Sequence, residues 1–569
     1  VELHYIKDGT LILVDSHHII LDGTSLNILL KDFCYLYNNE EYAYNKEIEY
    51  KDYSIWEDNL INTSSFEIIR NYWKERFENF EIPVINLPYD YAVGEKRTFN
   101  GNKLYFKIDK KLFEKTERIS KKYNVSLYMM FLTNLYLMLY KYTGQNNIII
   151  GSPIEARNSI KLNDIIGMFV NNIALNLNIL DDYTLENLIK KVKSLVLGSL
   201  TNQPYPYEML LKDLNIPSTT SLFDVVFTFQ NNTNINNRIN NKVLELIPSN
   251  THTSKFNLTF EIDPSTYNLN IEYNTDLFKK ETICSFYNHY IYLLENFVRN
   301  LNTKVSEIDI ITKKEDELLA IFNKTDGKIN NDTVVSIIEE QVKKHPNNIA
   351  VICDDKTLTY RELNDKANSL AHVLIEKGIQ PNDIVCIMTN RSLETIVCML
   401  GILKAGAAFL NVDPTYPIDR TKYYLENSKT QYVLTQACLK EKVKEIENCI
   451  EIDLENDLYN KKCKNPNVKV QPNDLSYIIY TSGSTGKPKG VMLNQVGFAN
   501  MAKAMTKVLD YLKEGNKHCL ISVTSTPFDI FVYEIIVSLT HGLKIVMANN
   551  AEHRNPKLLE KLMEKYNTD

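Results

Sequence analysis

From residue 331 to residue 569, short apolar runs take turns with helix-length amphipathic segments, and this alternation restricts the fold more than any other feature of the chain. Thr333 is placed to cap a helix that runs through Lys344 and stops at His345-Pro346. Ile349-Ala350-Val351-Ile352 reads as a strand and Asp354-Asp355 as a turn. From Arg361 to Lys377 the apolar residues Leu363, Ala367, Leu370, Ala371, Leu374 and Ile375 keep helical spacing, and Gly378 ends the helix. Ile384–Met388 follows as a buried strand, with Ser392 capping the next helix. This succession is the pattern of a mostly parallel α/β sheet. Such sheets bind ligands where a strand hands over to a helix.

One loop of this half is built for phosphate. Tyr480-Thr481-Ser482-Gly483-Ser484-Thr485-Gly486-Lys487-Pro488-Lys489-Gly490 directly follows the apolar run Leu475–Ile479. Glycines let backbone N–H groups converge, hydroxyls add donors, and lysine adds positive charge. The run is not the common P-loop, which requires Ser or Thr after Gly-Lys, where this chain has Pro488. The competing reading is a flexible surface turn. On the phosphate-binding reading the expected place of the loop is a strand-to-helix connection.

The chain has 569 residues, too many for one core, so two to four domains are expected. Residues 1–305 mix strand-like runs with long helices, and residues 306–330 contain a short amphipathic helix from Lys313 and a polar linker. Asn231–Asn241 reads as an exposed asparagine-rich loop. The formal net charge of -7, with no basic cluster, argues against nucleic acid as a partner. No apolar run approaches a membrane span. The nine cysteines are scattered without CxxC pairs, which reads as reduced thiols in a cytoplasmic protein and not as a zinc site.

Near the N-terminus the apolar run Leu11–Val14 leads to His17-His18-Ile19-Ile20-Leu21-Asp22-Gly23, followed by a helix containing Leu26, Leu29, Leu30 and Phe33. An imidazole titrates at about 6.5 when unperturbed, which suits proton transfer if the ring faces a cleft. A structural pair satisfied by backbone groups is the competing reading. A metal site lacks clustered third ligands.

On these residues the chain resembles the nonribosomal peptide synthetases. His17–Gly23 matches the HHxxxDG motif of their condensation domains, and Thr481–Gly490 matches the core motif of their adenylation domains. Tyr50–Trp56, Gly151-Ser152-Pro153, Ile166–Asn172 and Asn202–Glu208 resemble further condensation motifs. Leu358–Leu363 and Leu403–Leu410 resemble further adenylation motifs. The resemblance covers essentially the whole chain. Departures are Asn411 for a proline, Asn176 for an arginine, Pro204 for an aspartate, and Ser218–Ser221 for an arginine-bearing segment. Cyclization domains lack the histidine pair, and epimerization domains usually carry Trp where this chain has Leu26.

The resemblance implies an α/β chain: a chloramphenicol-acetyltransferase-like condensation domain over 1–305, lacking its N-terminal part, then an acyl-activating adenylation domain over 331–569, N-terminal portion only. It implies His18 as the catalytic residue, with His17, Asp22 and Gly23 supporting the motif. Asp22 is expected to hold the loop by an ion pair, and Gly23 to allow close substrate approach. It further implies that Thr481, Ser482, Gly483, Ser484, Thr485, Gly486 and Lys487 hold the ATP phosphates, with Mg²⁺ offsetting their charge. Phe528-Asp529-Ile530 matches the segment whose buried aspartate pairs with the substrate's α-ammonium, and Ile530 and Tyr533 are then pocket residues, with Phe531 replacing the usual serine. The implied partners are an amino acid and upstream and downstream carrier domains bearing phosphopantetheine. The YGPTE-like segment, ribose-binding aspartate, catalytic lysine and carrier serine of the family are not among these residues. A piece of a longer synthetase, inactive by itself, is therefore expected. The alternative is a non-catalytic remnant or scaffold.

Overall fold

The computed structural model describes residues 2–6, 9–38, 48–94, 96–217, 221–230, 238–239, 242–243, 251–327, 332–446, 448–451, 463–482, 487–509 and 518–568. The chain divides into two compact units, residues 1–324 and 325–569.

In the first unit Ser126 accepts a hydrogen bond from the Met129 N–H and opens the helix Leu127–Thr143, which Gly144 closes at φ 65°. Residues Met129 to Leu139 are all buried, as an all-round apolar helix requires. Two of its polar groups are matched, the Tyr136 hydroxyl donating to Leu175 O at 2.6 Å and Asn134 Nδ2 to Tyr290 O at 2.8 Å, while Asn134 Oδ1 has no partner. The helix packs with Lys280–Arg299 and Leu185–Thr201 against a six-stranded sheet. The strand order is Gly101–Lys107, Asn268–Asn274, Leu258–Asp263, Val225–Phe229, Asn147–Glu155, Val170–Asn178. The pairs flanking Val225–Phe229 are parallel and the other three antiparallel. Each fully buried Leu or Phe in this layer contributes about 1.5–3 kcal/mol.

The N-terminal hairpin Glu2–Ile6 with Gly9–Leu13 is a separate two-stranded sheet. The helix Lys313–Phe322, inside the stretch read as a linker, belongs to the first unit: Thr312 and Glu315 form its capping box, and Glu315 pairs with His289 at 2.8 Å. Much of the asparagine-rich segment 231–241 lies outside the described residues; Arg238–Ile239 pairs with Lys242–Val243.

The first helices of the second unit are Val334–Lys344, capped by Thr333, and Tyr360–Glu376, whose Thr359–Glu362 capping box is fully formed. Gly378 follows at φ 92°. Ser392 occupies the N-cap of Leu393–Lys404, but its side chain makes no capping bond. A six-stranded sheet runs Cys449–Glu451, Tyr432–Thr435, Ile384–Met388, Ala408–Asn411, Leu475–Thr481, Lys489–Asn494. It is parallel until its last pair, which is antiparallel, with Tyr480 opposite Gly490 and Thr481 opposite Lys489. Leu475–Thr481 and Lys489–Asn494 are thus consecutive paired strands at the sheet edge, where the sequence predicts a strand-to-helix connection; the helix starts only at Gln495. A second sheet orders Lys356–Thr359, Ile349–Cys353, Lys544–Met547, Cys519–Ser522. Among the described residues no helix is long and apolar enough to cross a membrane.

Candidate functional sites

Asp22 is the fixed point of the first site. It is 2% exposed and caps the helix Gly23–Tyr37 by accepting from the Ser25 N–H at 2.7 Å. The Phe169 N–H donates to its other oxygen at 3.1 Å. Arg157, also buried, places Nη2 3.2 and 3.3 Å from the two carboxylate oxygens. Burial alone would raise the Asp22 pKa; the bonds from Ser25 and Phe169 and the Arg157 charge together outweigh it and hold the carboxyl below its usual value.

Arg157 also donates Nη1 to Leu162 O at 2.6 Å and Ile165 O at 2.7 Å, and its guanidinium lies 4.0 Å from the Phe169 ring centre. Ser25 Oγ donates to Gly167 O at 2.8 Å and accepts from Gly167 N and Arg157. A Cβ on Gly167 would come within 2.1 Å of the Tyr50 ring, whose hydroxyl donates to Met168 O at 2.7 Å. Asn171 then reaches Gln203 O and Tyr205 O at 2.9 and 2.8 Å. Four stretches singled out in the sequence, around residues 22, 50, 168 and 204, are thus stitched into one assembly. Gly151 and Ser152 lie in the sheet instead, with a Cβ on Gly151 meeting the Phe223 ring at 2.1 Å.

His17 and His18 sit on the exposed stretch before Asp22. His17 Nδ1 accepts from the Ile19 N–H at 3.2 Å, while His18 has no hydrogen bond among the described residues. Gly23 has open space where a Cβ would stand. Arg157 was not identified from the sequence. The signal for it was the need of a buried carboxylate for a rigid, always-charged partner.

Replacing Arg157 by Ala strands the Asp22 charge and is expected to destabilise the first unit by about 3–5 kcal/mol in urea unfolding. The sign with pH follows from the lowered Asp22 pKa. Its contribution is full above the ordinary 3.8 and is lost as pH falls through the lower folded value, so the Asp22→Asn deficit shrinks in acid.

The second site lies around the glycine loop and the helix Asp529–His541. Gly483, Ser484, Thr485 and Gly486 lie outside the described residues; Thr481, Ser482 and Lys487 flank them and are exposed. Asp529, expected to be buried, is exposed in the first turn of its helix, where its Oδ1 accepts from the Ile530 N–H at 2.9 Å. Starting a helix sets the carboxylate at the positive end of the helix dipole without enclosing it. Tyr477 is close enough to feel its charge: burial first, and Asp529 second, push that phenol up to about 12. Ile530 is 57% exposed, and Tyr533 is half-buried against Ala502, Val537 and Leu543. Behind them Glu534 is buried, accepting from Ser522 Oγ and Thr524 Oγ1, both at 2.6 Å. Arg391 is buried against the same segment. Neither Glu534 nor Arg391 was identified from the sequence.

Comparison with known proteins follows the same division. Residues 2–320 match the condensation domain model and residues 338–569 the AMP-binding enzyme model. The chain is 36% identical over 98% of its length to bacitracin synthase 3 of Bacillus licheniformis, and 35% identical over 98% to gramicidin S synthase 2 of Brevibacillus brevis. It spans only 9% and 13% of those two proteins. A crystal structure of a holo four-domain nonribosomal peptide synthetase bound to AMP and glycine superposes with a TM-score of 0.85 at 22% identity, covering 97% of this chain and 43% of that one. At that identity the superposition establishes the fold alone.

Proposed function

The chain belongs to the nonribosomal peptide synthetases, as a condensation domain followed by an adenylation domain, and from that premise we propose that the protein extends a carrier-bound chain by one amino acid that it activates itself. In the first unit the amine of a carrier-bound aminoacyl group attacks an acyl or peptidyl thioester. A C–N bond forms, the C–S bond breaks, and the proton leaving nitrogen passes to a base or to the departing thiolate. His18 accepts or steers that proton. His17, Asp22 and Gly23 shape the turn that carries it. The observation behind this assignment is the unengaged His18 imidazole, four residues from a carboxylate locked by Arg157.

In the second unit an amino-acid carboxylate attacks the α-phosphate of ATP and releases pyrophosphate. Residues Thr481 to Lys487 hold the phosphates, and Asp529 receives the α-ammonium with Ile530 and Tyr533 beside the side chain. The flanking hydroxyls and Lys487 suit a polyphosphate. Mg²⁺, when bound, neutralises phosphate charge. The phosphopantetheine arms belong to carrier domains upstream and downstream, and the nine free cysteines suit a cytoplasmic setting.

The test is amino-acid-dependent ATP–pyrophosphate exchange by the native polypeptide, with these 569 residues alone as a second sample. Stimulation by one amino acid or a few related ones is expected in the native polypeptide, and none in the isolated chain. Failure of every amino acid with the native polypeptide would overturn the reading in favour of a non-catalytic scaffold.

A further inference from the structure

The segment Ser522–Phe528 joins the strand Cys519–Ser522 to Asp529 and is outside regular secondary structure after its first residue. Three buried side chains from three other places in the fold hold it at alternate residues. Arg391, 5% exposed, donates Nη2 to Ser522 O at 2.7 Å, Nη1 to Thr524 O, and Nε to Ala548 O at 2.6 Å. Glu534, 8% exposed, takes the Ser522 and Thr524 hydroxyls and faces the Thr524 N–H at 3.3 Å. Asn411, 7% exposed, donates Nδ2 to Thr526 O at 3.0 Å, while its Oδ1 has no partner.

Burying a guanidinium costs more than an apolar filler of the same volume would. What it supplies is a rigid planar fork that fixes the direction of several carbonyls at once. Here those carbonyls belong to the two strand ends and to the segment leading into Asp529. Glu534 ties the same segment to the helix that carries Asp529, Ile530 and Tyr533.

We propose that Arg391 is a positioning residue for the amino-acid site: it fixes Ser522–Phe528 so that the Asp529 carboxylate and Ile530 are presented at one place. Asn411 is its second tether. The resemblance to the synthetases anticipates proline at 411, which has no donor, so the bond to Thr526 is this chain's own device. The inference rests on Asp529 being the ammonium acceptor.

Arg391→Lys keeps the charge and removes the fork; Asn411→Ala removes one tether at lower risk to folding. In hydrogen exchange of the chain, the amides of 523–526 and 528–530 are expected to exchange about tenfold faster in Arg391→Lys, with Ile384–Met388 unchanged. In pyrophosphate exchange by the native polypeptide, KM for the amino acid is expected to rise about tenfold and KM for ATP to stay within about twofold. Asn411→Ala is expected to move both readouts the same way by a smaller factor. Faster exchange across the whole unit, or equal shifts in both KM values, means that Arg391 only supports the fold, and the inference falls. Normal exchange activity in Asp529→Ala removes the underlying site. Loss in Asp529→Ala with unchanged Arg391→Lys and Asn411→Ala removes this inference alone.

Discussion

Replacing His18 by Ala is expected to slow peptide-bond formation by about 10²–10⁴-fold, the usual worth of a positioned acid–base group. Amino-acid adenylation should be unaffected, because that chemistry belongs to the other unit. The expectation is based on contrast within one motif. Asp22 has its carboxylate fully engaged by Ser25, Phe169 and Arg157, so it serves the architecture. His17 is engaged with the Ile19 N–H and shapes the turn. Among the described residues, His18 is exposed and its ring makes no hydrogen bond. The measurement is single-turnover formation of the dipeptidyl thioester between preloaded carrier proteins. His17→Ala should cost much less, since it removes one exposed turn bond of about 1 kcal/mol. A His18→Ala rate equal to wild type would remove the catalytic assignment. A rate lost equally at all pH values would favour placement of the amine over proton transfer.

Much of the second unit could be read from the chain because its signals are local. A Thr three residues before Glu362, a Gly after residue 377 and helical apolar spacing between them need no distant partner to act. The strand after the glycine loop was missed for the converse reason. Lys489-Gly490-Val491-Met492 is an edge strand with all four residues exposed, so no alternating burial marks it, and only pairing with Leu475–Thr481 makes it a strand. Motif residues were legible one at a time, but their partners were not. Arg157 lies 135 positions from Asp22, and Arg391 lies 131 from Ser522. Nothing at either arginine distinguishes it locally from a surface charge. Both are recognisable only once the fold has buried them against groups that need a rigid donor.

Asp529→Ala is expected to abolish amino-acid-dependent pyrophosphate exchange, with a fall in kcat/KM of about a hundredfold or more, the cost of removing one partner of a desolvated charge pair. The exposed position of Asp529 does not weaken this. One oxygen is committed to the Ile530 N–H, which fixes the side chain's direction, and the other has no bond among the described residues. A bound ammonium would reach that second oxygen beside the helix start, and substrate itself would then supply the desolvation. Tyr477, packed against Phe409 and Phe498, lies within reach of that carboxylate's charge. Asp529→Asn separates the two possible roles. It retains an acceptor for the Ile530 N–H and should leave the unfolding midpoint unchanged, yet it removes the charge. Equal loss in Asn and Ala variants means that the charge is what substrate requires; activity retained in Asn would reduce Asp529 to a residue that shapes the helix start.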